Sequence, residues 1–238
     1  MHLIKRGMRG EEVSLNQVRL NVRNPVSAEI AMDGIFGPRT EAATKTFQRA
    51  RHLSPDGIIG PLTRAQLYTP VLRETIHQIA LIPQPTNTTC WAAATAMMTR
   101  SNVPAVIART PPDMIGSSGG LLNSSGSDQA IVTGTRYGNA HGLRCHAPMS
   151  WPADAFAGKI QRSPLMLDML WRTNEYAAGN ASPGHMVVVA GVISASGAET
   201  TFVKILDPWP PNTGKISWKR YGPWMRDVPT RTYRVFER

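Results

Sequence analysis

The stretch DGIFGPRT at residues 33–40 returns almost unchanged as DGIIGPLT at residues 56–63. Each copy of this D-G-I-x-G-P-x-T motif combines an Asp-Gly turn signal with a Gly-Pro step that favours the first turn of a helix. Apolar residues at helical spacing lie before and after the first copy. A solenoid needs about three or more repeats, so residues 1–68 are predicted to form three short helices packed as one small bundle.

This region resembles the short three-helix type of bacterial peptidoglycan-binding domain. The resemblance rests on the two turn motifs, on Gln17 and Leu20 before them, and on the Phe-Gln pair at 47–48 between them. Asn16 departs from the family, which usually has a leucine there. The resemblance implies that glycan or stem peptide binds in a groove near the first turn, whereas a bundle used only for protein contacts is the alternative. The candidate ligand contacts are Asp33, Phe36, Arg39 and Thr40.

Residues 84–98, QPTNTTCWAAATAMM, place a cysteine at a predicted helix start. Thr88 or Thr89 can cap a helix that begins at about Cys90, and the alanine-rich run behind it propagates a helix well. The positive end of the helix dipole favours a thiolate at this position. A buried structural cysteine is the alternative, since cysteine is among the residue types most often found inside proteins.

Two later segments supply partners for a thiolate. GHMVVVAGV at 184–192 predicts His185 at the start of a buried strand, and FVKILDPW at 202–209 predicts a strand that ends at Asp207. If the strands are adjacent, a nucleophile, a base and an orienting acceptor come together. Gln84, six residues before Cys90, is a candidate oxyanion donor together with the Cys90 backbone N–H.

These segments resemble a papain-like cysteine peptidase, most closely the staphopain and plant-pathogen effector branch. The chain departs from papain in having two threonines before the cysteine, and an aspartate where papain has an asparagine. Trp91 and Trp209 are candidate substrate-binding residues, and Trp209 is expected to cover the catalytic pair. The roles that the resemblance implies are nucleophile for Cys90, base and acid for His185, orientation of that histidine for Asp207, and the oxyanion hole for Gln84.

The sequence therefore predicts an α+β chain, in which a small all-α three-helix bundle precedes a papain-like domain with a helical half and an antiparallel β half. The predicted boundaries are a peptidoglycan-binding domain at 1–69, a junction at 70–83 and a peptidase domain at 84–238. Because the junction is short and apolar and contains no Gly/Ser linker, we expect the two domains to pack on each other or to lie close.

The composition of the 238 residues, 42% hydrophobic and 18% charged, excludes a disordered tail protein, a coiled coil and a collagen-like rod. A net charge of +10 favours an acidic partner such as an anionic wall polymer, nucleic acid or an anionic membrane. No nucleic-acid-binding motif in the sequence supports nucleic acid as the partner. The longest apolar stretch, at 186–193, is far shorter than a membrane span.

The two cysteines are too few for a disulfide scaffold or a four-cysteine zinc site. Cys145 lies between His141 and His146, but this irregular spacing does not match a metal site. We expect no metal and no cofactor, and a free Cys145, because a disulfide with Cys90 would consume the nucleophile. The Gly/Ser-rich segment at 116–127 is predicted to be a flexible loop that either lines a substrate cleft or only connects two elements.

The favoured function is a cell-wall-targeted cysteine hydrolase that cleaves peptide or amide bonds in peptidoglycan, as an antibacterial effector or a lysis enzyme. A papain-like protease acting on proteins, with the N-terminal domain as a wall anchor, is the alternative, and an inactive wall-binding scaffold is the third. The first residues lack the basic and apolar regions of a secretory signal. We therefore expect export by a dedicated system, such as type VI secretion, or release by lysis. An immunity protein or a secretion apparatus is a further candidate partner.

Overall fold

Helices occupy the first part of the chain and antiparallel strands dominate the rest, so the predicted α+β class is confirmed. The computed structural model describes residues 3–24, 29–122, 127–146, 151–170, 184–227 and 232–238. None of the helices in those ranges is long and apolar enough to cross a membrane. The elements in chain order are α1 (Glu11–Arg23), α2 (Pro38–Ala50), α3 (Pro61–Leu67), β1 (Arg73–Ile76), α4 (Cys90–Thr99), α5 (Val103–Arg109), a 3₁₀ turn (Pro112–Met114), α6 (Ser127–His141), β2 (Arg144–His146), α7 (Ala153–Arg162), β3 (Leu165–Leu170), β4 (Gly184–Ser194), β5 (Thr201–Asp207), β6 (Lys215–Arg220), α8 (Tyr221–Asp227) and β7 (Thr232–Glu237).

A buried glutamine from the preceding helix holds each of the two repeated turns. In the first, Nε2 of Gln17 lies 2.9 Å from Asp33 Oδ1 and 3.0 Å from the Ile35 carbonyl oxygen. The same nitrogen lies 3.1 Å from Thr40 Oγ1. The amide oxygen of Gln17 accepts the Gly34 N–H at 2.9 Å. The turn is therefore a socket in which three oxygens and one backbone N–H point at the same side chain.

The second turn repeats this socket around Gln48 of α2. Nε2 of Gln48 lies 2.7 Å from Asp56 Oδ1 and 3.0 Å from the Ile58 carbonyl oxygen. It also donates to Thr63 Oγ1 at 3.0 Å, while the Gly57 N–H donates to the glutamine oxygen at 2.9 Å. The residues that recur in the D-G-I-x-G-P-x-T motif are thus the ones that bind the glutamine, so the repeat in the sequence is a repeat of structure.

A seven-stranded antiparallel sheet forms the second part of the molecule, with β2-β7-β3-β4-β5-β6 as its strand order. Strand β4 is long enough to pair with β3 along residues 184–189 and with β1 along 191–194, on the same edge. Strand β1 lies inside the segment expected to be a junction, which therefore adds a strand to the sheet. On the other edge of β4, the pairing with β5 has a register shift between Val189 and Gly191. The shift lies at the point where the partner of β4 on the first edge changes from β3 to β1.

Both faces of the sheet are covered, as the near-continuous apolar run of β4 requires. Met186, Val188 and Ala190 belong to one apolar layer, which includes most of α4. The side chains that alternate with them, Val187 and Val189, belong to the opposite layer together with α7. Helix α4, which begins at Cys90, is thereby fixed against the middle of the sheet.

Helix α1 packs directly on this sheet, so the expected contact between the two regions is present. Val18 and Val22 share an apolar cluster with Ile193, Phe202 and Trp218. Burial of apolar surface between the two regions favours a fixed arrangement of the bundle on the sheet. Three ion pairs flank the apolar cluster. These pairs are Arg19 with Glu74, Lys204 with Glu11, and Arg220 with Glu29 at 3.0 Å.

Substituting Gln48→Ala leaves the buried polar groups of the second socket without their partner. An unsatisfied buried polar group costs about 1–3 kcal/mol, so we expect a loss of about 2–4 kcal/mol in the free energy of unfolding, measured by urea denaturation. Gln66→Ala is the matched control, because Gln66 is exposed on α3 and should change stability by less than about 0.5 kcal/mol. Equal effects of the two variants would contradict the structural role of the socket.

Candidate active site

Helix α4 presents Cys90 as its first residue, at the boundary between the core and the surface. The eight residues after it, 91–98, are all buried, whereas Cys90 itself is only partly buried. Thr89 occupies the cap position, but its hydroxyl does not cap the helix; it accepts the Thr86 N–H at 3.1 Å instead. The thiol therefore sits at the N-terminus of α4, next to the surface.

The strands β4 and β5 bring a histidine and an aspartate together. They pair antiparallel, so the start of β4 lies beside the end of β5. His185 near the start of β4 places its Nε2 2.6 Å from Oδ1 of Asp207, the last residue of β5. The same carboxylate oxygen accepts the Trp209 N–H at 2.9 Å, which fixes its orientation.

The His185 ring also forms a hydrogen bond with the Cys90 side chain. Because Nε2 faces Asp207, the remaining ring nitrogen, Nδ1, is the one left for the thiol. Burial by itself lowers the pKa of His185, but the hydrogen bonds and charges of Asp207 and Cys90 outweigh it and raise that pKa from 6.5 to about 9. The ring is therefore an imidazolium at neutral pH. The structure thus brings Cys90, His185 and Asp207 into one hydrogen-bonded chain.

Gln84 is buried in the segment that leads to α4. Its backbone is held by the loop after β5, since its N–H donates to the Pro208 carbonyl at 3.0 Å and its carbonyl accepts the Asn212 N–H at 2.8 Å. Its side-chain Nε2 donates to the Thr86 carbonyl at 2.6 Å. One amide hydrogen is thus engaged in the turn before Cys90, and the oxyanion role of Gln84 stays a prediction.

The two tryptophans selected from the sequence occupy different environments. Trp209 is 42% exposed next to Asp207, whereas Trp91 is 2% exposed and lies in the core. The Trp91 indole N–H donates to the Gly119 carbonyl at 3.0 Å. Substrate contact through the Trp91 ring does not fit this burial, because the ring packs inside the fold.

The Gly/Ser-rich segment lies against the turn that precedes Cys90, a contact that sequence reasoning left open. Besides the indole bond to Gly119, the hydroxyl of Thr88 donates to the Ser118 carbonyl at 2.7 Å. These contacts concern residues 116–122; residues 123–126 lie outside the described part of the chain. The glycines of this stretch were the available signal, since they allow a backbone to approach closely.

The four candidates around the first repeated turn are not equivalent. Phe36 is 1% exposed and Thr40 is 3% exposed, so both belong to the bundle core. Asp33 is exposed but already accepts hydrogen bonds from Gln17 and from the Ile35 N–H. Arg39 is exposed at the start of α2. Burial therefore excludes Phe36 and Thr40 as ligand contacts in this conformation.

Cys145 is also a free thiol, outside the hydrogen-bonded chain of Cys90, His185 and Asp207, and burial raises its pKa to about 11. The histidines beside it have separate partners, since His141 Nε2 lies 2.9 Å from Thr110 Oγ1 and His146 Nε2 lies 2.9 Å from Glu237 Oε2. Within the described ranges, no group of three or more His, Cys, Asp and Glu side chains could hold a metal ion.

Residues 9–67 match the family model described as "Putative peptidoglycan binding domain". The N-terminal region is a peptidoglycan-binding domain. The matched range contains α1, α2 and α3 with both repeated turns, so this resemblance is confirmed. The family model matches less than half of the chain and does not reach Cys90, and the papain-like resemblance of the second region stays a prediction.

Three further similarities are to one bacterial enzyme and to two solved structures. A zinc D-Ala-D-Ala carboxypeptidase of Streptomyces albus G is 42% identical over 65 residues, which is 27% of this chain and 26% of that protein. The N-terminal domain structure of SleB is 35% identical, with 28% of this chain and 88% of that chain covered and a TM-score of 0.26. A fused zinc-dependent amidase/peptidase with a peptidoglycan-binding domain, from Clostridium acetobutylicum, is 27% identical, with 42% and 45% covered and a TM-score of 0.27. The chain spans about a quarter of the length of the carboxypeptidase.

We expect iodoacetamide at pH 7 to alkylate Cys90 at least about a hundred-fold faster than Cys145, because only the first thiol faces an imidazolium. Mass spectrometry of peptides from a time course measures both rates in one sample. His185→Gln serves as the control, since it should slow the reaction of Cys90 and leave Cys145 unchanged. Equal rates at the two cysteines would show that Cys90 is not activated.

Asp207→Asn removes the negative charge that helps to hold His185 protonated. An opposite charge at this distance changes a pKa by roughly 1–3 pH units. The rate of Cys90 alkylation in the wild type should therefore depend on the imidazolium up to about pH 9. In the variant this dependence should move to lower pH by about one pH unit or more. An unchanged pH profile would mean that Asp207 does not set the charge of the histidine.

Proposed function

We propose that this protein is a cysteine hydrolase that binds peptidoglycan and cleaves a peptide or amide bond in it. The observation that carries the proposal is the hydrogen-bonded chain of Cys90, His185 and Asp207, in a molecule whose first domain belongs to a peptidoglycan-binding family. A nucleophile, a proton carrier and an orienting acceptor are the groups that nucleophilic amide cleavage needs.

In the proposed reaction the Cys90 thiolate attacks the carbonyl carbon of the scissile amide. The His185 imidazolium then donates its proton to the leaving amine, and an acyl-enzyme thioester remains. Water, deprotonated by the same imidazole, attacks this thioester and releases the acid, which restores the Cys90 thiolate and the His185 imidazolium. Asp207 keeps the ring oriented, and the Cys90 N–H with the Gln84 amide are the proposed donors to the developing oxyanion.

The peptidoglycan-binding domain would raise the local concentration of substrate at the thiol. Once the domain has bound the wall, the encounter between the thiol and a nearby amide becomes intramolecular. Here the domain is seated on the sheet by the cluster around Val18 and Trp218, so it has a defined direction relative to the catalytic strands. An antibacterial effector or a lysis enzyme is the biological setting that such an activity fits.

A peptidase that cleaves proteins and uses the first domain only as an anchor would use the same reaction at Cys90. The two candidate functions therefore differ in substrate and not in mechanism. Purified protein incubated with isolated sacculi, and separately with casein, distinguishes the two substrates. We expect soluble muropeptides from sacculi with the wild type, and a loss of at least about a thousand-fold with Cys90→Ala, since removing the nucleophile leaves little covalent catalysis. Cys145→Ala is the matched control and should retain activity, because this thiol lies outside the catalytic chain.

Two inhibitors separate thiol chemistry from the zinc chemistry named for two of the similar proteins. Iodoacetamide should abolish muropeptide release, whereas a zinc chelator should leave it unchanged. Loss of activity with the chelator alone would overturn the proposed thiol mechanism. Casein cleavage with intact sacculi would instead support the protein-directed peptidase.

A further inference from the structure

The loop between β5 and β6, residues 208–214, lies against the segment that leads to the nucleophile. It begins directly after Asp207 and ends where β6 pairs back to that same residue. The N–H groups of Thr213 and Gly214 donate to the Pro210 carbonyl at 3.2 and 2.8 Å, which closes the loop on itself. The loop therefore has a defined shape of its own.

The first part of the loop fixes the carboxylate that orients the histidine. The Trp209 N–H donates to Oδ1 of Asp207 at 2.9 Å, and the same oxygen lies 2.6 Å from His185 Nε2. A carboxylate that accepts a backbone N–H is held in one orientation by that bond. The direction of the His185 ring therefore depends on where the loop places its backbone.

The same loop holds the backbone of Gln84 on both sides. The Pro208 carbonyl accepts the Gln84 N–H at 3.0 Å, and the Asn212 N–H donates to the Gln84 carbonyl at 2.8 Å. Within the described part of the chain, no other residue of the segment 80–85 forms a hydrogen bond between backbone groups. The position of Gln84, which is 1% exposed, is thus set by two bonds to the loop and by packing.

These contacts connect the two halves of the candidate active site. Cys90 and Gln84 come from α4 and from the segment before it, whereas His185 and Asp207 come from strands of the sheet. Groups that act together in catalysis must be held to within about 0.5 Å of their working geometry. The loop makes these contacts through its backbone atoms, so no side-chain pattern in the sequence indicates this role.

Gly214 is the position at which this arrangement leaves no room for a side chain. Its φ is +62°, in the left-handed region that favours glycine. A Cβ atom there would lie 3.0 Å from the Asp207 carbonyl oxygen and 2.9 Å from Leu81 Cδ2. The end of the leucine side chain can turn away, but the Asp207 carbonyl belongs to the backbone. A larger residue at position 214 therefore displaces either Asp207 or the loop.

We propose that the 208–214 loop is a positioning strap that holds Gln84 in a fixed relation to the pair of Asp207 and His185, and that Gly214 is the residue that permits it. The inference rests on the proposed function and deepens it, because it adds a positioning residue outside the reacting groups. Gly214 acts through Asp207 and Gln84, since it has no side chain to offer a substrate.

The charged groups that the structure describes around His185 come from three elements. They are Cys90 of α4, Asp207 of β5 and Asp168 of β3. Asp168 is buried in an ion pair with Arg234 at 2.7 Å. Of the three groups, Asp207 is the one to which the strap bonds. A displaced strap therefore changes the histidine through Asp207.

The substitution Gly214→Ala tests the strap, with Gly142→Ala as its matched control. Gly142 has a φ of +66°, but a Cβ atom there meets no other atom within 4 Å. It lies just before β2, at the opposite end of the strand order from β6. Both variants therefore carry similar backbone strain, whereas Gly214→Ala alone also presses on Asp207.

The first measurement is the pH profile of Cys90 alkylation, which needs no substrate. A displaced Asp207 holds the His185 proton less firmly, so the pKa of the histidine falls. In the wild type the rate should depend on the imidazolium up to about pH 9. The profile of Gly214→Ala should move to lower pH by about half a pH unit or more. Gly142→Ala should keep the wild-type profile.

The second measurement is the release of muropeptides from sacculi, because an oxyanion donor acts in the transition state. Gly214→Ala should lower kcat about ten-fold and leave KM unchanged, since a small misplacement of a catalytic group costs rate. In a double-mutant cycle, the loss caused by Gly214→Ala together with Gln84→Ala should be smaller than the product of the two single losses. The strap can misplace the Gln84 amide only where that amide is present.

Equal alkylation profiles of the Gly214→Ala and Gly142→Ala proteins would overturn the proposed strap, and so would losses of turnover that multiply fully with Gln84→Ala. Asn212→Pro, which removes the N–H donated to Gln84, is a second variant and should also lower kcat. If the wild type releases nothing from sacculi or casein, the proposed hydrolysis fails. The alkylation profiles still decide in that case whether the strap positions Asp207.

Discussion

Strand β4 is paired along both edges and covered on both faces, and the functional parts of the molecule depend on its position. His185 lies near its first residue, and Ile193 near its last residue packs against α1 of the bundle. One strand thus connects the candidate active site with the peptidoglycan-binding domain. Because the interior of a protein is close-packed, the packing along β4 holds both of its ends in place.

The site itself balances burial against charge. Burial of His185 disfavours the imidazolium, and the ring is charged at neutral pH because Asp207 and Cys90 together outweigh that penalty. Since the pKa is raised from 6.5 to about 9, protonation of His185 stabilises the folded state fully below pH 6.5. That contribution is lost as the pH rises through about 9. The same interactions therefore support the fold and keep the thiol next to a positive charge.

Local patterns in the sequence were sufficient for several elements. The Gly-Pro steps mark the starts of α2 and α3, and the alanine-rich run that begins at Cys90 forms α4. The Gly-His step marks the start of β4, and the Asp-Pro step marks the end of β5. The sequence did not separate ligand contacts from core positions, since Phe36 and Trp91 are aromatic residues whose burial depends on the packing around them. Nor did it identify Gln17 as the centre of the first socket, because its partners lie 16 to 23 residues away.

The sequence by itself determined the repeated turns, the peptidoglycan-binding family of the first domain, and the order of the cysteine, the histidine and the aspartate. These features are carried by short stretches whose turn and helix preferences are local. Only the tertiary structure decided that the junction joins the sheet, that α1 packs on β4, and that the loop after β5 holds the backbone of Gln84. Such features depend on contacts between distant residues, such as Lys204 and Glu11, which are 193 positions apart, and no local pattern encodes which distant surfaces meet.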